Sequence, residues 1–227
     1  MKARNKNNRK NYYLTLKNLM IKNLKKNDLI KEIGKYPTGN ICNAHVQVKA
    51  MHNRISSLKP GMSFVGPAKT AAIIPGQNAA IHRTVHNARP GDILVVDGKE
   101  SVSFGPFGDI LALCCQQQGI LGLVIDSSVR DYEEIIKLKF PVFCLGTNPA
   151  ATQKTDQGDI DIPIVCGDVS VNPDDIIVAD DDGVVVIPKP LIEEVYKNLI
   201  SVADKEKTII QRIKSGETTC EIFKIKP

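Results

Sequence analysis

The amino-acid sequence predicts a mixed α/β fold, with a middle in which helix and strand alternate and a C-terminal third built of short β segments. Three observations carry this. Residues 108–145 read helix, strand, helix, strand at the tempo of an α/β layer. Residues 160–188 break into short Val/Ile-rich runs separated by Gly and Asp turn signals, which is how hairpins read. The composition, 42% apolar and 24% charged, is that of a globular chain with a real core.

Taken in order, residues 12–34 have apolar residues at helical spacing (Leu14, Leu16, Leu19, Ile21, Leu24, Leu29, Ile30), with Gly34 as a stop. A turn at Pro37-Thr38-Gly39 leads to a second helix from Ile41. Residues 62–74 read as one or two strands and 78–88 as a helix. Arg89-Pro90-Gly91-Asp92 is a turn that launches a short apolar strand over 93–96. Asp109 is placed to N-cap the helix ILALCCQQQ, which closes at Gly119. A strand over 121–127, a turn at Ser128-Val129-Arg130-Asp131, a helix from DYEEI and a strand over 141–145 follow. After the β segments the chain ends in a long helix, from about Pro190 to Lys214, stopped near Gly216.

The net charge of +5 is unevenly spread. Residues 1–35 hold eleven Lys/Arg against two Asp/Glu, and the remainder nineteen against twenty-three, so the body is mildly acidic. We therefore divide the chain into a basic, partly helical N-terminal extension (1–35) and one domain (36–227). The basic start could touch nucleic acid or an anionic membrane, but a solvated tail explains it as well. No aromatic-interleaved basic patch appears elsewhere, which argues against a nucleic-acid partner. No run of about 18 apolar residues marks a membrane span, and no signal-peptide pattern appears. The six cysteines show no CxxC spacing, and Cys144 and Cys166 sit in apolar runs as small hydrophobes. A reducing, cytoplasmic setting fits that usage.

Ligands of α/β sheets gather beyond the carboxyl ends of strands, and strand 121–127 delivers Arg130 and Asp131 there. Arg130 offers a planar donor fork for a carboxylate or enolate oxygen. Asp131 offers a hard oxygen ligand for Mg²⁺ or Mn²⁺, ions that take one or two carboxylates and keep several waters. On residue types alone a blander reading stands beside this one, in which Asp131 caps the next helix and Arg130 pairs with a surface acid.

The segment GDILALCCQQQGILGLVIDSSVRDYEEI (108–135) resembles the signature of the RraA-like family, which includes 4-hydroxy-4-methyl-2-oxoglutarate and 4-carboxy-4-hydroxy-2-oxoadipate aldolases. The resemblance extends over roughly 36–227 through PTGNICNA (37–44), LKPGMSFVGPAKT (58–70), the Asn and His of NAAIH (78–82), ARPGDILVVDG (88–98), residues 160–188 and KSGE (214–217). It implies a layered α/β/β/α sandwich and a homotrimer or homohexamer with sites between subunits. It implies that Asp131 ligates a divalent cation, Mg²⁺ or Mn²⁺, and that Arg130 contacts pyruvate and its developing enolate. Asp109 matches an acid that touches the metal's waters. The backbone of Gly108, Asp109, Ile110 and Leu111 matches the loop that holds the pyruvate carboxylate, as helix N-termini hold anions. Glu206 matches a water-binding glutamate from a neighbouring subunit, and Lys154 a lysine near the substrate's distal end. The implied activity is a class II-type, carbon–carbon-cleaving aldolase that releases pyruvate from a 2-oxo acid, with oxaloacetate decarboxylation as a side reaction through the same enolate. The competing implication is a protein regulator that binds and inhibits ribonuclease E, as RraA does.

Other residues read more plainly. His82 and His86 lie four apart on one helix face, without a His-Glu-x-x-His pattern, and read as structural polar groups. Asp180-Asp181-Asp182-Gly183 lacks the ligand spacing of a calcium loop and reads as a hairpin turn. No glycine-rich nucleotide loop occurs. Asn43, Ala151 and Asp174 stand where the resemblance implies Asp, Gly and Gly, and the first two bear on substrate specificity more than on the metal–pyruvate core.

Overall fold

The computed structural model describes residues 25–155 and 157–226. Helices α1 (Lys26–Ile33) and α2 (Thr38–Ala44) lead into the short strands β1 (Lys49–Ala50) and β2 (Ser56–Ser57) and the long β3 (Phe64–Ala72). Then come α3 (Ala79–Asn87), β4 (Ile93–Ser101), α4 (Asp109–Gln117), β5 (Gly122–Val129), α5 (Tyr132–Leu138), β6 (Val142–Cys144) and β7 (Gly146–Thr147). The last third holds β8 (Asp159–Ile160), the hairpins β9 (Ile164–Cys166) with β10 (Val169–Val171) and β11 (Ile176–Asp180) with β12 (Gly183–Ile187), then α6 (Ile192–Lys214) and α7 (Thr219–Phe223).

The main sheet runs in the order β1-β12-β11-β3-β4-β5-β6-β2. β3, β4, β5 and β6 are mutually parallel, and β11 joins β3 antiparallel. β3 belongs to both halves, so the sheet folds over itself and its side chains sort into three cores by the two-residue strand period. Leu94 and Val96 of β4, with Leu123 and Ile125 of β5, pack under α3, α4 and α5. Ile93, Val95 and Val124 point the other way, to meet Ile177, Ala179, Val184 and Val186 of the β11–β12 hairpin. The opposite face of that hairpin, Ile176, Val178, Val185 and Ile187, meets α1, α2 and α6. The result is helix, sheet, sheet, helix, as anticipated. Phe64 and Phe143 cross edge-to-face at 5.3 Å inside the middle core.

The elements differ from the sequence reading in informative places. α2 begins at Thr38, not Ile41, because the Asp180 carboxylate accepts from the Thr38 N–H (2.8 Å) and hydroxyl (2.7 Å). A cap supplied from the distant hairpin leaves no local signal. β5 runs through Val129 with all eight residues buried, so Ser128 and Val129 are strand rather than turn. β4 continues to Ser101 through a bulge in which Lys99 and Glu100 both have positive φ. α7 went unread, although Thr218 and Glu221 form a capping box. Of the expected helix 12–34, residues 12–24 lie outside the described residues. α1, placed by sequence in the extension, buries Leu29, Ile30 and Ile33 against Ile192, Val195 and Leu199 of α6. Cys144 and Cys166 are buried and free, as their surroundings predicted. Among the described residues no helix is long and apolar enough to cross a membrane.

Candidate active site

β5 delivers its polar end to a cleft of about 560 Å³. Beyond Val129 the chain turns through Arg130 and Asp131 into α5, and Asp131 makes the turn in the left-handed conformation (φ 57°, ψ 45°). That conformation costs a non-glycine residue on the order of 1–2 kcal/mol. Asp131 stands at the N-cap of α5 but its side chain makes no cap hydrogen bond. It lies instead against the start of α4, where a Cβ on Gly108 would run into its Oδ2. Arg130 meets it through Nε, at 3.3 Å from Oδ1 and 3.2 Å from Oδ2. Among the described residues that is the guanidinium's only partner, and both side chains are roughly one-third exposed (39% and 30%). The Asp131 carboxylate is therefore not spent on the helix cap, and the acid that Arg130 pairs with is Asp131 itself.

Three backbone bonds hold the cleft's walls together. Arg130 N–H donates to Phe107 O (2.9 Å), Gly105 N–H to Ala150 O (2.9 Å) and Asn148 N–H to Val129 O (2.8 Å). A side chain on Gly105 would strike Asn148 O and press on Arg130, so glycine is what lets the loop close here. Gly108, in extended conformation, is the N-cap of α4, and Asp109 is its first helical residue. This corrects the expected cap. The Asp109 carboxylate accepts from the next amide, Ile110 N–H, at 2.7 Å.

The cleft gathers Gly108, Asp109, Ile110, Leu111, Arg130, Asp131 and Lys154 from the sequence-predicted set. Glu206 is not among its lining residues; it lies exposed on α6 and accepts from Asn40 Nδ2 at 2.6 Å. Asn78 and His82 of the α3 N-terminal turn, Glu134 of α5, and the 151–152 segment complete the walls. His82 was read as a structural polar group, yet its buried Nε2 has no hydrogen-bond partner among the described residues, and neither has Asn78 Oδ1. Leaving such an atom unpaired costs about 1–3 kcal/mol. Burial, with a smaller contribution from Lys154, pushes the His82 pKa below its ordinary value, which favours the neutral ring. The Glu134 carboxyl is held below its usual range first by its hydrogen bond from Lys137.

Comparison with known proteins gives the family. Residues 38–186 match the family model described as RraA-like, Aldolase/RraA. The chain belongs to the RraA-like family. A Halalkalibacterium halodurans protein named "Putative 4-hydroxy-4-methyl-2-oxoglutarate aldolase" is 38% identical over 170 residues, covering 75% of this chain and 81% of that one. A solved structure from Pseudomonas syringae superposes with a TM-score of 0.76 at 26% identity, covering 86% of this chain and 92% of the other. Streptomyces coelicolor RraAS2, described as an unusual member of the RNase ES inhibitor RraA protein family, gives 0.74 at 26%, covering 83% and 98%.

The oxygen donors of the cleft fit a hard divalent cation that keeps most of its own water. Asp131 has unused acceptor capacity beside the cradle left by Gly108, and Asp109 and Glu134 line the same cleft. Among the described residues no group of three or more His, Cys, Asp or Glu side chains is arranged to enclose a metal. A closed, all-protein site of the structural-zinc kind is thus not what these residues build. Asp174, where the family resemblance implies glycine, takes the left-handed turn conformation itself (φ 68°), which aspartate tolerates. Ala151 lines the cleft.

Proposed function

We propose that this RraA-like chain is a divalent-metal-dependent aldolase that cleaves 4-hydroxy-4-methyl-2-oxoglutarate-type 2-oxo acids to pyruvate and a second oxo acid. The observation that carries it is the placing of Arg130, Asp131 and the start of α4 around one cleft. As the C3–C4 bond breaks, the 4-hydroxyl proton would pass to a water held beside Asp109 and negative charge would develop on the 2-oxo oxygen, which the Arg130 guanidinium, paired only through Nε among the described residues, has remaining donors to meet. The amides at the start of α4 are suited to the substrate carboxylate. Asp131 would hold Mg²⁺ or Mn²⁺, with Asp109 beside it orienting water. When bound, that cation supplies Lewis-acid stabilisation of the developing charge. Lys154, at the rim, offers a cation to the distal carboxylate. Glu206 enters only if another subunit brings it, so the reading includes a trimer or hexamer with shared sites. Oxaloacetate decarboxylation, which forms the same enolate, is the expected side activity.

The test is pyruvate release from 4-hydroxy-4-methyl-2-oxoglutarate and from oxaloacetate, with Mg²⁺ or Mn²⁺ and with chelator. Wild type turns over with metal, and Asp131→Ala loses on the order of 10²-fold or more in kcat while keeping its fold. No turnover by folded, metal-loaded wild type would sink this reading. It would move the weight to the competing one, a binding protein acting on ribonuclease E, which the likeness to RraAS2 supports and a pull-down would check.

A further inference from the structure

Lys154 lines the cleft from a stretch of chain between β7 and β8 that no helix or strand supports. A lysine is a point charge on a flexible four-carbon stem, so what fixes its backbone decides where the charge can reach. Gln77, the residue before the N-cap of α3, grips that stretch on both sides of Lys154. Its Oε1 accepts from Thr155 N–H at 3.2 Å and from Thr155 Oγ1 at 2.5 Å. A backbone N–H only donates, which settles the orientation of the amide and turns Nε2 to Gln153 Oε1 at 3.4 Å. The backbones meet as well. Gln153 N–H donates to Gly76 O (2.8 Å), and Asn78 N–H donates to Gln153 O (3.1 Å). Farther along, Arg83 of α3 donates to Gly158 O at 2.5 Å, and Gly158 (φ 87°) passes so close to Ala72 O that a side chain would not fit.

Lys154 itself makes no hydrogen bond or ion pair among the described residues, although its charge is felt at His82 across the cleft wall. Gln77, Gln153 and Thr155 do not line the cleft, so their clasp can act on a ligand only through the lysine between them. The backbone bonds alone would keep the strap against the start of α3. The Gln77 amide adds a hold on the two residues that flank Lys154. We infer that Gln77 is a positioning residue, which fixes the Gln153–Thr155 peptide so that the Lys154 ammonium meets the far carboxylate of a dicarboxylic 2-oxo acid. The inference rests on the aldolase reading for its ligand, and on the hydrogen bonds of the strap for its geometry.

The test is calorimetric titration, with Mg²⁺, of 2-oxoglutarate against 2-oxopentanoate, which has the same chain length but no far carboxylate. Neither carries the 4-hydroxyl that cleavage requires, so affinity is read at equilibrium. Wild type is expected to favour 2-oxoglutarate, and Lys154→Ala to lose that preference. Gln77→Ala should reduce the preference by about threefold or more while leaving the affinity for 2-oxopentanoate in place. Thr155→Val, which removes one of the two bonds to Gln77 Oε1 without touching Gln77, should move it the same way. The double variant Gln77→Ala/Lys154→Ala should bind no worse than Lys154→Ala, because the first change acts through the second residue. Equal losses for both ligands, or losses that add in the double variant, would make Gln77 merely structural and overturn the inference. A wild type without the preference would overturn it too, even if pyruvate release stands. A Gln77-dependent preference in a protein that releases no pyruvate would uphold the clasp while the aldolase reading falls.

Discussion

Two arginine–aspartate pairs flank the second half of β5, and they have opposite characters. Asp126 is buried, accepts from Gly167 N–H at 3.0 Å, and faces Arg54 at 3.4 Å. Arg54 also grips Asp168 with two bonds of 2.8 Å and reaches Glu100 at 3.2 Å. Its guanidinium is held firmly charged, chiefly by the bond to Asp168, and it draws the Asp168 carboxyl below its usual range. Four residues after Asp126, Arg130 and Asp131 touch only loosely, about one-third exposed, on a turn in left-handed conformation. The same residue types thus serve two ends. Where donors and acceptors are largely spent on one another, the pair fastens a bulge and a hairpin. Where they are left over, on strained backbone facing a cleft, they are available to a ligand.

The largest break in that comparison should come from a single methyl group. Gly108→Ala puts a Cβ where Asp131 Oδ2 lies and 3.0 Å from Arg130 Cγ. The open pair must shift, and a misplacement of about an ångström in a catalytic group costs on the order of 10²-fold. We expect pyruvate release to drop by about that factor while the thermal midpoint moves by only a few degrees. Unchanged turnover would mean that the carboxylate need not lie against the α4 start.

The closed pair should answer in the opposite way. Arg54→Ala strips the buried Asp126 of its cation, leaving Gly167 N–H as its remaining donor. The thermal midpoint should fall by on the order of 5 °C. Turnover below the melt should stay within about twofold. A variant that melts normally but loses activity would merge the two regions into one site.

What made the open pair legible in sequence was its position, directly after an apolar strand and before a helix, together with a run of motifs at matching spacing. The layered sandwich was legible through the family resemblance rather than through alternation, because β4, β5, β11 and β12 are apolar runs buried on both faces, and only the folded sheet assigns each side chain to a core by parity. The illegible features are those set by distant partners. The start of α2 depends on Asp180, and nothing near Thr38 announces it. The N-cap of α4 is Gly108 rather than Asp109, and the close approach of the Asp131 carboxylate to Gly108 is met only in three dimensions. His82 read as structural since helical spacing gives its face but not what the face looks onto. Its i, i+4 relation to Asn78 was the available signal, and only the cleft gives that spacing a meaning.

The smallest effect expected is on pH dependence, and it sharpens the contrast at the edge of the open site. Folding lowers the His82 pKa, first through burial and then through Lys154. The unfolded chain, with a His pKa of about 6.5, therefore binds the proton more readily than the folded one. Stability should be flat above that value and decline as the pH falls through it, levelling off below the folded pKa. His82 is only partly buried as a residue, so solvent limits the size of the effect. Urea midpoints of wild type and His82→Phe between pH 7.5 and 5.5 isolate it, because the other titrating groups are common to both. The wild-type midpoint should fall more steeply with acid than that of the variant. Parallel slopes would show that the ring is solvated enough to take up its proton freely, and the cleft wall would then be wetter at α3 than its unpartnered atoms imply.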